Sequence, residues 1–225
     1  MAAPEAGARS DGTALRQAII ATALQMNVLG INRGKSGNVS ARIDGGFLVT
    51  PSALPYDETG PEDIVPVHED GSATGTRSPS SEWRFHRAIY AARPEVQAIV
   101  HAHSPFATTL ACLDRGIPAF HYMVAVAGGN DIRCASYATF GTQELADEVL
   151  RALDGRNACL LSHHGMIATG ASLKVTLALA VEVETLAEMY WRALQLGEPR
   201  NLSDEEMLRV LVKFSSYRRQ VRDQT

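Results

Sequence analysis

Three histidines sit where a metal site would put them. In Ile99-Val100-His101-Ala102-His103 the side chains alternate along an extended segment. His101 and His103 therefore face one way, and Val96, Ala98, Val100 and Ala102 the other. Two imidazoles on one rigid strand can reach one cation. His163-His164-Gly165 closes a second apolar run, Cys159–His163, and one histidine of that pair can supply a third nitrogen. Three protein nitrogens plus an open position is the arrangement of catalytic zinc, whereas structural zinc sites are closed and usually cysteine-rich. Neutral imidazole also suits other divalent transition metals. Glu82 follows Ser80 and Ser81 at the start of a helical pattern. A carboxylate there complements the positive end of the helix; beside the histidines it becomes a fourth ligand or a general base. The hydroxyls of Ser80 and Ser81 and the amides of Gly37 and Asn38 suit a phosphate, although no Walker-type loop is present. His68, His86 and His121 fall in no such pattern and read as ordinary histidines.

The elements that must position these groups follow from periodicity. Leu15, Ala18, Ile19, Ala23 and Met26 recur at helical spacing from Thr13, a capping residue, to Leu29, with Gly30 as the stop. Val39–Ile43 and Phe47–Val49 read as strands joined by Asp44-Gly45-Gly46, a hairpin signal. Ile64–His68 is a short strand, 80–92 a helix ended by Pro94, Val96–His103 a strand and Ser104–Asp114 a helix. A helix over Gln143–Leu153 precedes the strand Cys159–His163. The longest helix runs from about Ser172 to Leu196, with Leu179, Val183, Leu186, Tyr190 and Leu194 as its apolar stripe. A last helix follows Ser203, with Asp204, Glu205 and Glu206 in its first turn. Residues 1–12 read as a flexible extension and 13–225 as one α/β domain.

Composition narrows the function classes. Of 225 residues, 45% are hydrophobic, which is the globular range and excludes a disordered or collagen-like chain. Twenty-one basic against 25 acidic residues leave a net charge of −4, so neither nucleic acid nor a membrane surface is an expected partner. Cys112, Cys134 and Cys159 are odd in number and unpaired in spacing, the usage of a reducing compartment. Apolar runs are too short to span a bilayer, and Met1–Thr13 lacks the features of a signal peptide. The chain reads as a soluble cytoplasmic protein.

Taken together the motifs resemble a known family. Gly37-Asn38-Val39-Ser40, Thr50-Pro51-Ser52, Ser80-Ser81-Glu82, His101-Ala102-His103 and His163-His164-Gly165 stand in the order of class II aldolases of the fuculose-phosphate aldolase/adducin type. The likeness covers nearly everything from Leu15 to Tyr217. The strings Ser80–His86, Ile117–Met123 and Tyr137–Thr142 are most similar to the fuculose-phosphate aldolase branch.

The resemblance implies a single α/β domain with a central, largely antiparallel sheet flanked by helices. It also implies a homotetramer with active sites at subunit interfaces. His101, His103 and His164 match the family's zinc ligands, one zinc ion per subunit, and Glu82 matches the carboxylate that binds zinc at rest and carries a proton in catalysis. Gly37, Asn38, Ser52, Ala53, Ser80 and Ser81 match positions that hold the substrate phosphate. Tyr122 and Tyr217 match tyrosines that reach a neighbouring subunit's site, the first as a proton donor. The implied reaction is reversible cleavage of a ketose 1-phosphate, foremost L-fuculose 1-phosphate, to dihydroxyacetone phosphate and L-lactaldehyde. Its rivals are the same cleavage of 5-deoxyribulose or 5-methylthioribulose 1-phosphate, a dehydratase or epimerase of the same fold, and a metal-free adducin-like interaction module. Two residues depart from the family pattern. Lys35 replaces a small threonine near the phosphate, where it either strengthens phosphate binding or points to solvent. Ala53 replaces a glycine, which requires a negative φ or room for a methyl group.

Overall fold

The computed structural model describes residues 8–222, with side chains described over 12–216. Its strands are β1 (Asn38–Ile43), β2 (Gly46–Val49), β3 (Val65–His68), β4 (Ala98–Ala102), β5 (Cys134–Ala135), β6 (Ala158–Leu161) and β7 (Gly165–Gly170). They form one sheet in the order β3-β2-β1-β4-β7-β6-β5. Every neighbouring pair is antiparallel except β5–β6.

Helices cover both faces. On one side α1 (Ala8–Val28), α3 (Pro105–Ala111) and α5 (Leu173–Leu196) pack on the central strands; on the other lie α2 (Trp83–Ala92) and α4 (Gln143–Ala152). The alternation of the strands divides the core accordingly. Val100, Ala102, Leu160, Met166 and Ala168 join Ile19, Met26 and Val183 under the first layer. Ile99, Leu161 and Ile167 join Phe85, Ile89 and Val149 under the second. The final helix, α6 (Asp204–Arg222), packs against a 3-10 segment, Tyr122–Ala127.

Local chemistry sets several boundaries. The β1–β2 hairpin turns on Asp44-Gly45, where Gly45 takes φ +74, a left-handed conformation that glycine adopts without steric cost. Thr142 caps α4 by accepting from Leu145 N, and Ser172 caps α5 by accepting from Val175 N.

Other boundaries differ from the sequence reading. Helix α1 begins at Ala8, so Thr13 lies inside it and not at its start. Residues 1–7, most of the expected extension, lie outside the described residues. Neither β5 nor β7 was expected. Strand β7 is buried on both faces over Gly165–Thr169, so its side chains show no polar–apolar alternation to betray it. The run Cys159–His163 ends as a strand at Leu161, and its two histidines form the turn into β7. Val96 precedes β4 and packs in the same cluster as Ile99, not with Val100.

Candidate metal centre and active site

The site lies where β4 ends, where β6 turns into β7 and where α2 begins. His101 is on the α2 side of β4, fully buried, with Phe85 edge-on at 5.5 Å between ring centres. Its Nδ1 donates to the carbonyl of Met166 at 2.9 Å. That bond fixes the orientation of the ring and directs Nε2 at the site. His103 stands one residue beyond β4, with Nε2 at 2.9 Å from His101 Nε2. His164 occupies the β6–β7 turn, which closes tightly because His163 adopts a left-handed φ of +53. Gly165 permits the close approach that follows: a Cβ there would lie 2.4 Å from the carbonyl oxygen of Ala102. Glu82, 5% exposed, immediately precedes α2.

These four side chains converge. Glu82 Oε2 is 3.1 Å from His101 Nε2, and Oε1 is 3.0 Å from His164 Nε2. One ligand atom from each of the four lies within 4.8 Å of every other. Oε1 is buried, yet no donor meets it with hydrogen-bond geometry. Burial, reinforced by His101 and His164, pushes His103 down to about 4, so it keeps a lone pair at neutral pH. Burial alone would raise the Glu82 carboxyl, but His101 and His164 outweigh it and hold the group ionised, well below the usual carboxylate range. Three imidazole nitrogens and a carboxylate facing one point, with an oxygen lacking a donor, fit a divalent transition-metal ion.

The segments expected to hold phosphate lie side by side. Thr50 N donates to Val39 O, Ser80 N to Thr50 O and Ser52 N to Ser78 O. The Gly37 segment runs close under β4, where a Cβ on Gly37 would lie 2.5 Å from His101 O. Ser52, Ala53 and Ser81 are exposed, whereas Ser80 is buried and Asn38 is 2% exposed. The Asn38 side chain is engaged elsewhere: Nδ2 donates to Glu82 Oε2 at 2.9 Å, and Oδ1 meets His86 Nε2 at 2.5 Å. Ala53 takes φ +62, which excludes the first of the two alternatives, a negative φ, and leaves the residue strained. Lys35 Nζ donates to Ala53 O at 2.7 Å, which ties the two loops together.

A cavity of about 260 Å³ opens onto the cluster, lined by Ser81, Glu82, His103, His164 and the exposed aromatics Tyr137 and Phe140. Tyr122 is not among its lining residues. It is 49% exposed and stacks on Phe214 of α6 at 6.4 Å, in a separate apolar groove. Tyr217 falls within α6, but its side chain lies outside those described.

Sequence reasoning passed over His86, Ser40 and Tyr90, which connect to Asn38 behind the site. A signal was available. Asn38 and Ser40 share one face of β1 by alternation, and His86 is one helical turn from Glu82.

Comparison with known proteins agrees with this geometry. Residues 17–191 match the family described as Class II Aldolase and Adducin N-terminal domain. The chain is 58% identical over 204 residues to a 5-methylthioribulose-1-phosphate/5-deoxyribulose-1-phosphate aldolase of Rhodospirillum rubrum, covering 91% of this chain and 92% of the relative. It is 48% identical to an L-fuculose phosphate aldolase of Escherichia coli, covering 90% and 95%. A solved L-fuculose 1-phosphate aldolase superposes with a TM-score of 0.86 at 40% identity, over 89% of this chain and 95% of that one. The chain belongs to the class II aldolase and adducin family, whose aldolases depend on a metal ion.

Proposed function

We propose that this protein cleaves a ketose 1-phosphate between C3 and C4, reversibly, giving dihydroxyacetone phosphate and a short aldehyde, with zinc as its metal ion. The observation that carries the reading is the convergence of His101, His103, His164 and Glu82. These four side chains would hold a divalent ion, which would supply Lewis-acid chemistry in place of a lysine Schiff base. His101, with Nδ1 tied to Met166 O, presents Nε2 in a fixed direction. Glu82 carries the proton at Oε1, the carboxylate oxygen without a hydrogen-bond donor. Gly37, Asn38, Ser52, Ala53, Ser80 and Ser81 are assigned to the phosphate, with exposed Lys35 adding positive charge between their loops.

The sugar is assigned as a 5-deoxy- or 5-methylthio-pentulose 1-phosphate, ahead of L-fuculose 1-phosphate. Identity to the Rhodospirillum rubrum relative supports this, 58% against 48% for the Escherichia coli one. The exposed aromatics Tyr137 and Phe140 at the cavity mouth also suit an apolar C5 group. This reading requires more than one copy of the chain, and a homotetramer is the assembly assigned to it. Tyr122 does not line its own chain's metal cavity, so to donate a proton to the aldehyde oxygen it must serve a neighbouring copy; Tyr217 is assigned there with it. The sugar is tested by following dihydroxyacetone phosphate release from the two kinds of substrate side by side. A higher kcat/KM for the 5-deoxy sugar supports the assignment, and a higher value for L-fuculose 1-phosphate reverses it.

A further inference from the structure

Behind Glu82 runs a continuous chain of buried hydrogen bonds. Tyr90 Oη is 2.8 Å from Ser40 Oγ, which is 2.7 Å from His86 Nδ1. His86 Nε2 is 2.5 Å from Asn38 Oδ1, and Asn38 Nδ2 is 2.9 Å from Glu82 Oε2. All five residues are at most 5% exposed, so none exchanges these partners for bulk water.

The donors in this chain can be assigned. Burial pushes His86 down to about 3, so the ring is neutral and bears a single N–H. Asn38 Oδ1 only accepts, which places that proton on Nε2. Nδ1 then accepts from Ser40 Oγ–H, and Ser40 accepts from Tyr90 Oη–H. If the Asn38 amide were reversed, its carbonyl oxygen would face the carboxylate of Glu82. The charge on Glu82 therefore selects the amide orientation, and that orientation in turn selects the His86 tautomer.

We propose that His86 is a positioning residue for Glu82: it orients Asn38, Asn38 holds Oε2, and Oε1 is left to take the proton. The kinetic part rests on the function proposed above; the geometric part does not. Nothing in the chain touches the cavity except Glu82 itself, so His86 acts through Asn38 and not on substrate.

The test is a double-mutant cycle of His86→Phe and Glu82→Gln on the zinc-loaded protein, with His86→Gln as the conservative variant. Its second readout is solvent exchange of the Asn38 side-chain amide protons by NMR in the metal-free protein. His86→Phe is expected to lower kcat at least tenfold while KM stays within about threefold, and to add less than twofold in the Glu82→Gln background. Exchange at Asn38 should quicken at least tenfold in His86→Phe. His86→Gln, whose amide offers both a donor and an acceptor, should restore much of both. An equal kcat loss in both backgrounds, or unchanged exchange, overturns the proposal. If His86→Phe does not fold, Ser40→Ala is read in the same way, since it frees Nδ1 to take the ring proton. A several-fold kcat loss confined to the Glu82 background is then expected, and no loss overturns the idea. If the wild-type protein cleaves no ketose 1-phosphate, the functional reading fails, and the exchange measurement still decides the geometry.

Discussion

His101 and Met166 are joined by a hydrogen bond of 2.9 Å, from imidazole Nδ1 to a backbone carbonyl on the neighbouring strand. The β4–β7 register, which sets His101 opposite Ile167, brings that carbonyl to the ring. Sheet pairing thus aims the ring's other nitrogen, Nε2, at the cluster of His103, His164 and Glu82, the kind of organisation that a catalytic metal site requires.

Removing one of these nitrogens should therefore act on metal affinity. His103→Gln is expected to weaken zinc binding at least a hundredfold, measured by competition with a chromophoric chelator. His103 is only partly buried, so unfolding of the metal-free variant should remain cooperative. Wild-type zinc affinity in this variant would remove His103 from the cluster.

Glu82→Gln separates holding the metal from moving a proton. The amide keeps the shape and one coordinating oxygen but cannot carry a proton at neutral pH. We expect zinc content near one per chain and kcat reduced at least a hundredfold, within the range for loss of a general acid–base group. Near-normal turnover would exclude Glu82 as the proton carrier.

Much of this was legible in the chain itself. Alternation placed His101 and His103 together, and the ordered motifs gave the family and an antiparallel α/β fold. Periodicity could not reveal β7, because a strand buried on both faces has no alternating pattern, yet β7 supplies the carbonyl that orients His101. His86 escaped for a related reason. Its meaning depends on Asn38, 48 residues away on β1, and the spacings within β1 and within α2 do not by themselves bring the two together. Ala53 was recognised as unusual, but its sign of φ was set by the loop around it.

That strain has a measurable consequence. Ala53 sits at φ +62, where an L-residue costs about 1–2 kcal/mol and glycine does not. Glycine's greater backbone entropy in the unfolded chain offsets roughly 0.5–1 kcal/mol of this. Ala53→Gly should stabilise the protein by about 0.5–1 kcal/mol in urea unfolding. A loss of stability would show that the alanine side chain contributes packing worth more than the strain.

Acid sensitivity follows from His86. Its folded value is about 3, pushed down chiefly by burial, against an ordinary value of 6.5. Between those values the unfolded chain binds one more proton than the folded one at this residue. The stability it confers is complete above pH 6.5 and is lost as pH falls towards 3, at about 1.4 kcal/mol per pH unit. In metal-free protein, His86→Gln should show a stability–pH slope shallower by about that amount between pH 6 and 5. Identical slopes in wild type and variant would mean that His86 is charged in the fold.

The most direct test of the central claim is dihydroxyacetone phosphate release from 5-deoxyribulose 1-phosphate, measured on the purified protein before chelation, after chelation and after return of zinc. The account predicts release that is abolished by the chelator and restored by zinc. Release that persists undiminished in fully metal-free protein would contradict a metal-dependent aldolase built on His101, His103, His164 and Glu82.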